Sequence, residues 1–197
     1  MTSSRRTART VTTVVAAAAL CGGLAVAVPT VASAAPQDCN YMGYNSAPDR
    51  LGLQLDPSEQ WMADNINAYR VQNGRKPLVI SEQLRRPTMW GALDSATRKD
   101  GKPVDHVDTR GMDPMARAKF CGNYTGTRIG ENKYWGRGGA DGNALGLGPA
   151  ALAWWKQSPG HNANMLSPDY TTFGVGWAYL GVRAELGGFW TVMFGNA

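Results

Sequence analysis

Capped helical segments come first in this chain and β-branched, aromatic runs come last, with no strand–helix–strand alternation between them; the order predicts an α+β domain built in layers. Its 197 residues, 43% of them hydrophobic, are enough for one packed core. Seven Trp and only 18% charged residues exclude a disordered chain. Twenty-four Gly without a Gly-X-Y period exclude a collagen-like one. Three Cys are too few for a domain held together mainly by disulfides.

The first segment, residues 1–34, reads as a secretory signal peptide. Arg5, Arg6 and Arg9 form a positive start, Val11 to Val28 is apolar or small, and Ala32-Ser33-Ala34 supplies a small-residue cleavage site before Ala35. The apolar run is just long enough to span a bilayer, but its small-residue exit favours cleavage, so no stable membrane anchor is expected. The Ser4-Arg5-Arg6 start lacks the hydrophobic residue usual after a twin-arginine pair, and Cys21 has no convincing lipoprotein context. Cleavage also changes the electrostatics. The whole chain carries +5, but losing three Arg leaves 17 basic against 15 acidic residues, about +2, with no basic block. A nucleic-acid partner is therefore not expected, and a secreted location is.

Export decides the cysteines too. Cys21 leaves with the leader, and Cys39 and Cys121, 82 positions apart, remain as an even pair in an oxidising compartment, which predicts one disulfide. Closing so long a loop stabilises by about 4–5 kcal/mol in the chain-entropy treatment.

Residues 35–55 lack periodicity and read as an extended N-terminal arm, leaving 56–197 as the domain. Asp56-Pro57-Ser58-Glu59 combines an Asp cap, Pro at the first helical position and Glu at the third, and Met62, Ile66 and Tyr69 continue the helix until Gly74. A second helix starts at Ser81. Its small face of Thr88, Gly91, Ala92 and Ser95 invites a close neighbour, while Pro87 is expected to kink it or delay its start. After a polar loop over 99–112, Asp113-Pro114 opens a short helix ending at Gly122. Gly126 to Trp135 reads as strand or turn, Gly136 to Gly148 as a glycine-rich loop, and Pro149 to Gln157 as helix. The glycine-rich stretch has neither the lysine nor the βα setting of a phosphate loop. Thr172 to Leu180 and Gly188 to Phe194 form a strand pair with a hairpin-sized gap.

Chemistry concentrates at few positions. The chain has only two histidines, His106 in the polar loop and His161 after Ser158-Pro159-Gly160. Ser158 fits a helix cap and Pro159 the first turn, which puts His161 where the helix dipole disfavours imidazolium. Glu131 is an acid among apolar and aromatic neighbours. Two imidazoles and a carboxylate can together hold a divalent cation such as zinc with an open coordination position, though no His-Glu-x-x-His helix is present. Ser158 and His161 are close enough in sequence to pair as nucleophile and base, but capping explains Ser158 more simply and no Gly-x-Ser-x-Gly turn occurs. Of the tryptophans, Trp135 is the best candidate for an exposed one. The Asn123-Tyr124-Thr125 sequon matters only in a eukaryotic secretory pathway.

Asn65 and Arg70, Leu78, Leu84, His106, Gly130-Glu131-Asn132, Trp155-x-x-Ser158-Pro159-Gly160-His161-x-x-Asn164-Met165-Leu166, Phe173-Gly174-Val175-Gly176, and Trp190 with Phe194-Gly195 succeed one another in order. Over residues 57–195 the chain thus resembles the CAP (SCP-like) superfamily of cysteine-rich secretory proteins, antigen 5 and plant pathogenesis-related 1 proteins, in its bacterial secreted branch. The resemblance implies an α-β-α sandwich with helices flanking a mostly antiparallel sheet. It also implies a cavity lined by two His and two acids, of which His106, Glu131 and His161 match three. The fourth acid is missing, since Gln157 and Ser158 stand where it is expected.

Two functions are expected from these residues. The resemblance implies an extracellular binding or interaction module for a lipid, glycan, cation or protein ligand. The alternative is a metal-assisted extracellular hydrolase using His106, Glu131 and His161.

Overall fold

The computed structural model describes Cys39 and residues 54–136, 144–179 and 188–197. The signal peptide expected at 1–34, nearly all of the arm, the centre of the glycine-rich loop and the hairpin tip lie outside the described residues. Contacts divide the chain between Ser33 and Ala34, and every described element belongs to the second unit, Ala34–Ala197.

Helix α1 (Pro57–Gln72) begins as its sequence dictates. Asp56 accepts from the Ser58 and Glu59 amides at 2.8 and 2.9 Å, and Glu59 reaches back to the Asp56 amide at 3.1 Å. Glu59 does more than the cap requires. The same Oε2 takes the buried guanidinium of Arg85 at 3.1 Å, joining the start of α1 to the second helix. After the short strand β1 (Val79–Ile80), helix α2 (Glu82–Thr97) runs continuously through Pro87 and starts without delay. Pro87 lacks the N–H that would bond the Gln83 carbonyl, and helix α3 (Pro114–Gly122) ends against that carbonyl. A Cβ at Gly122 would lie 1.8 Å from Gln83 O, so no larger residue fits. Asp113 caps α3 by accepting from the Ala116 amide at 2.8 Å, and Cys121 at its far end is bridged to Cys39, as expected from the cysteine count.

Strand β2 (Ile129–Gly136) is followed by α4 (Ala144–Gln157), α5 (Pro159–Leu166), β3 (Thr172–Tyr179) and β4 (Gly188–Gly195). Helix α4 corrects the sequence reading, because it begins five residues before Pro149. Burial extends it: Leu147 enters the core and a Cβ at Gly148 would lie 3.2 Å from the Trp61 ring, so this turn is held from outside despite its two glycines.

The sheet has the order β1-β3-β4-β2. β3 and β4 form the expected antiparallel hairpin, β2 pairs antiparallel with β4, and β1 pairs parallel with β3. Alternation along the strands makes two unlike faces. Phe173, Val175, Trp190, Val192 and Phe194 meet Met62, Ile66, Leu152, Trp155 and Met165 of α1, α4 and α5 in the main core. The opposite face receives α2 and α3 with a smaller cluster around Leu84, Ala118, Tyr124 and Met193. This three-layer arrangement is the α-β-α sandwich.

The α2 layer sits close because both surfaces are small. A Cβ at Gly174 would lie 2.5 Å from the Leu84 carbonyl oxygen, and one at Gly91 3.3 Å from Thr191 Cγ2. Gly174→Ala is expected to cost about 1–3 kcal/mol, since the obstructing atoms are backbone. Gly160→Ala, where nothing lies within 4 Å, is expected to leave stability unchanged or slightly raised. Thermal melts of the two variants check the contrast.

Candidate functional site

Glu131 and Asn132 are neighbours on β2, an edge strand, so their side chains leave opposite faces of the sheet. Each builds one half of the site.

On the α2–α3 side, the Glu131 carboxylate is buried, with 1% of its side chain accessible. Its Oε1 stands 2.8 Å from His106 Nδ1, and its Oε2 accepts from the fully buried Arg117 guanidinium. Burial pushes the Glu131 carboxyl up, but Arg117, the His106 hydrogen bond and Lys133 outweigh it and hold the group below the usual carboxylate range. An ionised carboxylate only accepts, so His106 donates through Nδ1. Half of the His106 side chain is exposed.

The loop carrying His106 is pinned from several elements. Arg117 also bonds the His106 carbonyl at 3.2 Å, and Lys133 bonds that of Asp105 at 2.8 Å. Buried Asp108 accepts from the Trp90 indole at 2.9 Å and from the Arg110 and Met112 amides at 3.0 and 2.9 Å, while Asp94 holds Thr109. Burial lowers the Lys133 pKa, and Glu131 opposes that shift.

On the other side, the Asn132 amide donates to the His161 carbonyl at 3.0 Å and its oxygen accepts from Asn164 at 2.9 Å. Gly130 leaves room for this contact, since a Cβ there would lie 2.7 Å from the Asn164 side-chain oxygen and 2.8 Å from the Tyr170 hydroxyl. The Gly-Glu-Asn triplet thus has a geometric cause: space, a carboxylate to one face, an amide to the other.

His161 lies in the first turn of α5, as expected. Ser158 is at the N-cap position, but its side chain makes no cap bond. Instead its Oγ is 2.7 Å from His161 Nδ1, so the pairing that capping was expected to displace is present. The imidazole packs against Trp154 at 4.7 Å between ring centroids. Burial, and secondarily the charge of His106, lowers the His161 pKa and favours the neutral ring.

The three sequence-derived residues therefore gather around one strand edge, with His106 and Glu131 in contact and His161 across from them. Sequence reasoning misses Arg117 and Lys133. Lys133 has a signal, being two positions from Glu131 on the same strand face; Arg117 has none. Trp135 is 39% exposed, as expected, but Trp154, at 48%, is the more open and stands beside the site.

A zinc cage with Glu131 as a ligand does not fit. Both carboxylate oxygens are engaged, and the Arg117 and Lys133 charges already face the carboxylate. Among the described residues no group of three or more His, Cys, Asp or Glu is placed to hold a metal ion. Also among the described residues, no helix is long and apolar enough to cross a membrane.

This fold and strand-edge site define a class. Residues 63–194 match the cysteine-rich secretory protein family, that of the CAP domain, and the chain belongs to it. Over 136 residues it is 29% identical to the uncharacterized protein YkwD of Bacillus subtilis (strain 168), covering 69% of this chain and 46% of that one. An extracellular protein containing an SCP domain from Bacillus anthracis superposes with a TM-score of 0.55 at 23% identity, over 73% of this chain and 45% of that one. An outer surface protein from Borrelia burgdorferi gives 0.54 at 17% identity, over 72% and 95%. The chain thus spans under half the length of the two Bacillus relatives.

Arg117→Met removes the main cation from a buried carboxylate, leaving Lys133, and is expected to cost about 3–5 kcal/mol at neutral pH. Because the native Glu131 carboxyl is held below its ordinary value of 4.5, its stabilisation is present above that pH and is lost as pH falls through the folded value. The deficit of the variant is therefore expected to shrink on acidification. Urea unfolding at neutral pH and near pH 4 measures both.

Proposed function

We propose that this protein is exported and works outside the cell as a binding module, gripping a glycan of the cell envelope at the strand-edge site. The observation that carries this reading is the state of Glu131. Buried, ionised and engaged at both oxygens, it acts as a post that orients His106 rather than as a base open to substrate. The metal-assisted hydrolase reading needs that same carboxylate as a ligand, and its geometry gives no support.

What is left open at the site suits recognition. The His106 side chain is half exposed, and Trp154 offers a half-exposed indole anchored by Tyr134 and His161 at centroid distances of 6.0 and 4.7 Å. Flat indole faces stack on the apolar face of a pyranose ring, while imidazoles and hydroxyls bond its rim. Val104 and Val107, on either side of His106, add exposed apolar surface. The signal peptide read from residues 1–34 and the extracellular and outer-surface descriptions of the structural relatives support the location.

Cosedimentation with purified insoluble cell-wall material tests the module. The native protein is expected to pellet with the wall, and Trp154→Ala to weaken binding about tenfold, the scale of one lost aromatic contact. Native protein left in the supernatant, or a variant that binds equally, refutes the glycan reading. Export has its own check: N-terminal sequencing of the protein recovered from culture medium is expected to begin at Ala35.

A further inference from the structure

Serine at a helix N-cap ordinarily turns its hydroxyl to the amides of the second or third helical residue. In α5, which begins at Pro159, those are Gly160 and His161. Ser158 has the extended backbone of a cap, with φ −86° and ψ 117°, yet its hydroxyl is directed to the imidazole at 2.7 Å. In the Nε2–H tautomer of the neutral ring the hydroxyl has a proton acceptor in Nδ1, and the first-turn amides lack their side-chain partner.

The surroundings suit a reaction at that hydroxyl. The Asn132 bond to the His161 carbonyl and the Trp154 ring fix the imidazole, while burial favours its neutral, proton-accepting form. Space is open beside Gly160, where a Cβ would meet nothing within 4 Å. Negative charge developing there would face the start of a helix, whose amides and dipole stabilise it. The exposed face of Trp154 offers a resting surface for an apolar group.

We infer that Ser158 and His161 form a nucleophile–base pair that accepts the acyl group of a carboxylic ester, an activity separate from the glycan binding proposed above. Ser158 Oγ attacks the ester carbonyl carbon as its proton passes to His161 Nδ1. The tetrahedral adduct then breaks its bond to the alkoxy oxygen, which takes the proton from His161 and leaves as the alcohol. Water, deprotonated by His161, attacks the acyl-serine. The carboxylic acid departs and Ser158 recovers its proton. The sum is one ester and one water giving one acid and one alcohol, with no other reactant. Neither Glu131 nor a metal takes part.

A fluorophosphonate probe tests the pair directly, since it labels a serine only when an adjacent base activates it. The exported protein is incubated with the probe and the site is mapped by mass spectrometry. One adduct on Ser158 is expected, absent from Ser158→Ala and formed at least ~10-fold more slowly in His161→Gln, the lower end of general-base contributions being about 100-fold. Circular dichroism confirms that both variants are folded; neither change removes the backbone carbonyl that Asn132 holds. Folded native protein that stays unlabelled under excess probe overturns the inference, and so does His161→Gln labelling at the native rate.

Discussion

Burying a carboxylate costs several kcal/mol unless a cation and hydrogen-bond donors meet it, and at Glu131 this requirement organises the site half of the molecule. Arg117 comes from α3, His106 from the preceding loop and Lys133 from the same strand. Arg117 and Lys133 each also hold a carbonyl of the loop, so neutralising the charge and placing His106 are one event. The arrangement is rigid for the same reason that it is costly to break. It engages the only acid of the three candidates at both carboxylate oxygens, and leaves the His106 side chain half exposed.

The site sits at an edge strand because only there do side chains from both faces come together around the backbone. Glu131 serves one layer and Asn132 the other, and the two histidines approach from opposite sides of β2. The closeness of the layers depends on glycine in turn. Gly174 and Gly91 let α2 lie on the sheet, Gly122 lets α3 end on the Gln83 carbonyl, and Gly130 admits Asn164. None of these four needs glycine for an unusual backbone angle; each is needed because something else occupies the space of a side chain.

Much of this is legible in the chain itself. The caps at Asp56 and Asp113, the strand pair at the end and the bridged cysteines are local or countable signals, and all stand in the structure. Local signals mislead where a distant partner changes what a residue does. Pro149 signals a helix start, but burial of Leu147 carries α4 further back. Ser158 signals a cap, and its hydroxyl pairs with His161 instead. Pro87 signals a kink or a delayed start, yet α2 starts at Glu82, runs through Pro87, and α3 closes on the freed carbonyl.

By itself the sequence determined the element types, their order and the family, because periodicity, capping and motif spacing are written in neighbouring positions. Only the tertiary structure decided which partners Glu131, His106 and His161 meet. Whether Glu131 is a ligand, a base or a buried post depends on Arg117, fourteen positions away on another element. A carboxylate's role is set by the charges and solvent around it, and the folded chain supplies those from positions that no local pattern connects.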